Sequence, residues 1–145
     1  MERSIKNILK WYLLFTSIYL FADGIIHILN LKLANISSNW SSDLVIYSQY
    51  MTQLYGLFAV LTASFGLEVS RNLSKYKNLL YIAAIWGIVY AGFLIYYSIT
   101  IDYPAVFKST PSIYFWIPFY NAYILFEGLL LFTLSCLIFI YKKYN

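Results

Sequence analysis

Charge is scarce in this chain. Asp, Glu, Lys and Arg make up 11% of its 145 residues, roughly half the share that a soluble domain carries. So little charge excludes a water-solvated surface over most of the molecule and points to lipid as the main solvent. Cysteine is nearly absent as well. With Cys136 alone, no intrachain disulfide can form. Histidine is limited to His27, which excludes a bis-histidine haem within the chain. The sequence also has no glycine-rich phosphate loop, no nucleophile elbow and no cysteine pair, so the chemistry of common soluble enzymes finds no footing. The basic excess of +4 gives no reason to expect a nucleic-acid partner. The cations sit in short clusters at the ends of apolar runs, where they act as topology signals.

Apolar side chains fill the space that charge leaves. Hydrophobic residues make up 61% of the chain, and sixteen of all residues are tyrosine. Tyrosine combines an apolar ring with a polar tip and suits membrane interfaces. A helix needs about 20 residues to cross the hydrocarbon core. Four runs of that kind are expected, at 11–31, 50–69, 79–99 and 119–141. They are joined by a polar loop over 32–49, a basic turn over 70–78 and a proline-containing loop over 100–118. Backbone polar groups cannot be left open to lipid, so each run must be helical. Pro118 suits the first turn of the fourth helix, where no amide hydrogen is needed. The first run stays apolar past Ala22 through Ile25, Ile26, Ile28 and Leu29, so it reads as an uncleaved helix and not a signal peptide.

Direction follows from the cations. With the N-terminus inside, Arg3, Lys6, Lys10, Arg71, Lys75, Lys77, Lys142 and Lys143 fall on the cytoplasmic side, against Lys32 and Lys108 outside. The expected architecture is all-α: an integral-membrane, up-down-up-down four-helix bundle forming one domain, with both termini cytoplasmic, in the plasma membrane. Lipid does not drive apolar helices together, so small residues must let them approach. Gly56, Ala59, Ala63 and Gly66 form such a stripe on the second run, and Ala83, Gly87 and Ala91 on the third. These two small faces are expected to meet.

Ionisable groups inside a span cost about 2.5–3.5 kcal/mol at the membrane centre, so each needs a reason. Tyr12, Thr16, Tyr19, Asp23, His27 and Asn30 follow helical spacing along the first run and must face the bundle interior. Asp23 and Glu127 each lie eight residues from the outer end of their runs, or roughly 12 Å deep at 1.5 Å per residue. A polar pocket in the outer half is therefore expected from Asp23, His27, Glu127, Gln53, Tyr90 and Asn121. Two carboxyl groups brought together in low dielectric would not both ionise. Such a set could relay protons or hold the polar end of a quinone or a lipid. It could equally do no more than fix helix register. An Asp-x-x-x-His pair with a distant Glu is not a specific metal motif, and no metal is expected. Glu68 and Arg71, three apart, are expected to pair at the inner interface.

The run Leu20-Phe21-Ala22-Asp23-Gly24-Ile25-Ile26-His27-Ile28-Leu29 resembles the first helix of DoxX-like membrane proteins. There, too, glycine follows an apolar run and a polar residue comes a few places later. Tyr55-Gly56-Leu57-Phe58-Ala59 through Gly66-Leu67-Glu68 is similar to the glycine-rich second helix of that family, and length and four-span layout agree over nearly the whole chain. Asp23 has no counterpart in the family pattern, so no site residue carries over. The resemblance implies a small accessory subunit of a membrane redox complex, with quinone as cofactor and with lipid and other membrane subunits as partners. A stand-alone membrane enzyme, a proton-coupled carrier and a purely structural subunit stay open beside it.

Overall fold

A computed structural model describes residues 2–29, 41–102 and 119–144. Asn30, Lys32, Lys108 and Pro118 lie outside the described residues, so the expectations about them are not addressed. Four α-helices make up the described chain: α1 (Glu2–Ile28), α2 (Ser42–Arg71), α3 (Lys77–Thr100) and α4 (Tyr120–Tyr144). Three of them, α1, α3 and α4, are long and apolar enough to cross a membrane. With 30 residues, α2 is long enough but not apolar enough by the same measure. Its serines, threonines, glycines and Gln53 dilute its leucines.

Two helices start earlier than the apolar runs suggest. α1 begins nine residues before Trp11 because the inward stripe continues backwards through Leu9 and Ile5. Leu9 is fully buried while Lys6 and Lys10 are exposed, the pattern of an amphipathic first turn. α2 begins at Ser42, inside the region expected as loop, with Asp43 in its first turn, where a negative charge complements the helix dipole.

Small residues set the pairing, though not the pairing expected. The small stripe of α2 packs on α1, and that of α3 packs on α4. A Cβ added at Gly56 would lie 2.6 Å from the Gly24 carbonyl oxygen, and one added at Gly66 would strike Ser17 Oγ. A Cβ added at Gly87 would strike Ser135 Oγ, and one at Gly128 would lie 3.3 Å from the Ala91 carbonyl oxygen. Within each pair, rising numbers on one helix meet falling numbers on the other. α1 also packs on α4, whereas α2 and α3 share no comparable contact. The expected meeting of their small faces is therefore corrected. The short basic turn makes them neighbours in sequence, but their glycines are already used against α1 and α4.

All four helices contribute to a buried apolar core near one end, formed by Leu9, Leu13, Val69, Leu73, Leu80, Ala84, Ile138 and Tyr141. The same end carries Arg3, Lys6, Lys10, Arg71, Lys75, Lys77, Lys142 and Lys143, every Lys and Arg among the described residues. Lys6 Nζ lies 3.4 Å from Ser74 Oγ, Lys142 Nζ sits 3.1 Å above the Tyr81 ring centre, and Arg71 pairs with Glu68 at 3.1 Å. An apolar cavity begins beside this core, sharing Leu13, Val69, Leu80, Ala84 and Ile138 with it, and a polar cavity lies further along the helices, away from the basic end.

Candidate functional site

The site grows from the polar stripe of α1. Thr16 is buried and turns its hydroxyl back to the Tyr12 and Leu13 carbonyls, so it stays within its own helix. Tyr12 donates to the Leu130 carbonyl of α4 at 3.1 Å. Two and three turns further on, Tyr19 and Asp23 reach α4 side chains. Tyr19 Oη donates to Glu127 Oε1 at 3.0 Å. Asp23 is 4% exposed, and its Oδ1 lies 2.8 Å from Tyr123 Oη. The same Tyr123 oxygen is 2.8 Å from Glu127 Oε1.

This last arrangement decides the chemistry. A phenol carries one hydrogen, and Tyr123 has a carboxyl oxygen at bonding distance on each side. It can donate to only one of them at a time. The second contact becomes a hydrogen bond when that carboxyl group supplies its own hydrogen. Asp23, Tyr123 and Glu127 therefore form a network that is complete when the two carboxyl groups hold one acidic proton between them. A hydrogen that can sit on either side of one oxygen is also a route for moving a proton from α1 to α4.

Two further groups hold Asp23. Tyr55 of α2 donates to Oδ2 at 3.4 Å. His27 Nδ1 is 2.8 Å from the Asp23 carbonyl oxygen and 3.2 Å from Oδ2. Both are acceptors, so geometry assigns a hydrogen to Nδ1. The His27 and Tyr55 rings meet edge to face at 4.7 Å, which fixes the imidazole plane.

Behind this network lies a cavity of about 280 Å³, with His27, Tyr55, Tyr90, Tyr120, Tyr123 and Glu127 in its wall. It is close to the small end of the range for ligand pockets, roughly 300 Å³. A second cavity of about 290 Å³, lined mostly by apolar surface, lies in the gap between α2 and α3 and is floored by α1 and α4.

Of the six residues expected to build the pocket, Asp23, His27 and Glu127 meet in one place, and Tyr90 reaches the same cavity from α3. The other two lie elsewhere. Gln53 is exposed, and its Nε2 donates to the Ile28 carbonyl at 3.4 Å, tying α2 to the end of α1. Asn121 Nδ2 donates to the Ser98 and Ile101 carbonyls at 2.8 and 2.6 Å. It thereby satisfies acceptors at the end of α3 that the helix itself leaves open. Neither side chain lines the cavity. The residues that sequence reasoning missed are Tyr55 and Tyr123, and Tyr19 was seen only as part of the stripe. A signal for Tyr123 existed in its position four residues before Glu127, which puts both on one helix face. Among the described residues, no group of three or more His, Cys, Asp or Glu side chains is arranged to hold a metal ion. Cys136 is partly buried and unpaired by any disulfide.

No family model, no curated protein and no solved structure matches this chain.

Proposed function

We propose that this chain is a four-crossing, up-down-up-down protein of the plasma membrane and an accessory subunit of a quinone-linked redox complex. In this reading the polar cavity holds the quinone head, and both termini face the cytoplasm. The direction is supported by the gathering of the described cations at the end that carries the termini and the basic turn. The cavity then lies in the outer half. The redox assignment rests on the resemblance of the Leu20–Leu29 and Tyr55–Glu68 sequences to DoxX-like proteins.

One observation carries the ligand class. Tyr123 and Glu127 stand in the wall of a cavity large enough for a ring, and Asp23 is bonded to Tyr123 behind them. A quinone head needs donors for its oxygens in one state and acceptors for its hydroxyls in the other. Tyr90 and Tyr120 bring hydroxyl donors to that wall, and the Glu127 carboxylate and the His27 Nε2 are acceptors. The residues present fit the group. When bound, the quinone would supply the electron chemistry. The protein's own part is to orient the ring, exclude water and hold a proton at Glu127 or Asp23.

The test uses the complex purified from native membranes. Asp23→Asn and Glu127→Gln are each expected to lower its quinone-dependent activity by at least about tenfold, the scale of one lost charged hydrogen bond, while the subunits still co-purify. Full activity in both variants would overturn the site assignment.

The shared hydrogen of Tyr123 also favours a second reading, a proton-coupled carrier that works without partner chains. Purified protein in liposomes would then show pH-dependent flux that either substitution removes. Absence of flux would count against this reading.

A further inference from the structure

The polar cavity has an apolar neighbour, and one residue belongs to both. Tyr90 of α3 stands in the wall of the 280 Å³ polar cavity and of the 290 Å³ apolar cavity. It also lines a space of about 30 Å³ that brings Tyr19, Tyr55 and Glu127 together with Leu94 and Leu131. The three spaces therefore follow one another along the inner faces of α2 and α3. The apolar one lies where these helices lack the packing that joins α1 to α2 and α3 to α4. Its wall includes exposed residues on both helices, Thr62 of α2 and Ala83 and Trp86 of α3, the last 68% exposed, so in a membrane this gap is a lateral opening onto lipid and not a route to water.

We infer that the two cavities are head and tail compartments of one site, filled by a single-chain membrane quinone whose apolar tail lies between α2 and α3, with Tyr90 at the junction. The inference rests on the proposed quinone reading and adds the tail slot and the lateral route. Its occupant follows from continuity. An apolar compartment that ends at a polar one matches an amphiphile lying head inward, and the wall of Leu13, Leu20, Phe65, Val69 and Leu80 offers a tail the same environment as lipid. A free, water-borne head group would leave this compartment without a role. Together the two cavities fall within the ordinary size range of ligand pockets, whereas either alone lies at or below its lower limit, roughly 300 Å³.

The experiment compares two probes on the purified full chain in nanodiscs: a benzoquinone bearing a decyl chain that ends in a diazirine, and the same benzoquinone without the chain. Ala83 and Thr62 line the apolar cavity from opposite walls and are exposed, so phenylalanine at either position fills the slot without entering a packed helix contact. Ala83→Phe and Thr62→Phe are each expected to weaken binding of the tailed probe by about tenfold or more, the effect of excluding a few methylenes. Binding of the tail-less probe should stay within about twofold. Photolabelling should mark residues 62–69 and 83–90. If both variants bind the tailed probe as the wild type does, or if the label falls on the outward residues Phe58 and Ile82, the tail slot is wrong. The head reading then survives provided Glu127→Gln still abolishes binding of both probes. If the wild type binds neither probe, the head reading itself fails, and the tail slot falls with it.

Discussion

Tyr123→Phe is expected to destabilise the bundle by about 2–4 kcal/mol, more than removing any single hydroxyl on its surface. The reason is the position of one oxygen. Tyr123 Oη is 2.8 Å from both Asp23 Oδ1 and Glu127 Oε1, so the substitution removes two hydrogen bonds to carboxyl groups at once. Each such bond contributes about 1.5–3 kcal/mol, and a buried polar group left unsatisfied costs about 1–3 kcal/mol. Tyr19 still serves Glu127, and His27 and Tyr55 still serve Asp23, which keeps the loss below the sum. The measurement is the thermal midpoint of the purified protein in nanodiscs. Tyr96→Phe is the control, since Tyr96 is 60% exposed on α3, and it should leave the midpoint unchanged. Equal midpoints for Tyr123→Phe and the wild type would mean that the phenol does not bridge the two carboxyl groups.

Gly56→Leu should be more damaging still, at about 3 kcal/mol or more, because the clash is with backbone. A Cβ at Gly56 would lie 2.6 Å from the Gly24 carbonyl oxygen and 2.8 Å from the Ile28 amide nitrogen. No side chain can move aside to make room, so α1 and α2 must separate along their length. Overpacking of a rigid contact typically costs about 1–3 kcal/mol, and occasionally more. In lipid no hydrophobic force restores the contact. Separation would also draw Tyr55, the residue before Gly56, away from Asp23. The expected readout is a failure of the purified protein to hold one monodisperse state. Gly92→Leu provides the contrast: nothing lies within 4 Å of a Cβ placed there, and it should be tolerated. If Gly56→Leu were as stable as Gly92→Leu, the close crossing of α1 and α2 would be refuted.

The candidate site was half legible in the sequence, and the missing half has a simple geometric cause. Counting residues from the ends of apolar runs gives depth, and depth correctly paired Asp23 with Glu127. Depth does not give rotation about the helix axis. Gln53 and Asn121 sit at the right level, but Tyr55 and Tyr123 lie two residues beyond them, about 200° around the helix at 3.6 residues per turn. The polar residue that drew attention thus pointed away, and the tyrosine two places on pointed in. In a chain with sixteen tyrosines, a single tyrosine carries little signal. The small-residue stripes show the same limit. Spacing reveals that α2 and α3 each have a small face, but not that α1 and α4 are the helices that use them. Helix starts were misjudged for another reason. Hydropathy marks where lipid begins, whereas Ile5 and Leu9 carry the helical pattern beyond it. The polar stripe of α1 was the most readable feature, because Tyr19, Asp23 and His27 repeat every four residues on a helix otherwise rich in Leu, Ile and Phe.

Meeting of the first and last helices through their carboxyl groups is what every functional statement above depends on. A double-mutant cycle on Asp23→Asn and Glu127→Gln, read as folding stability in nanodiscs, measures that meeting directly. Groups that share one network partner should be coupled by about 1–3 kcal/mol, and Tyr123→Phe should abolish the coupling. Stability losses that simply add, within about 0.5 kcal/mol, would contradict the shared network.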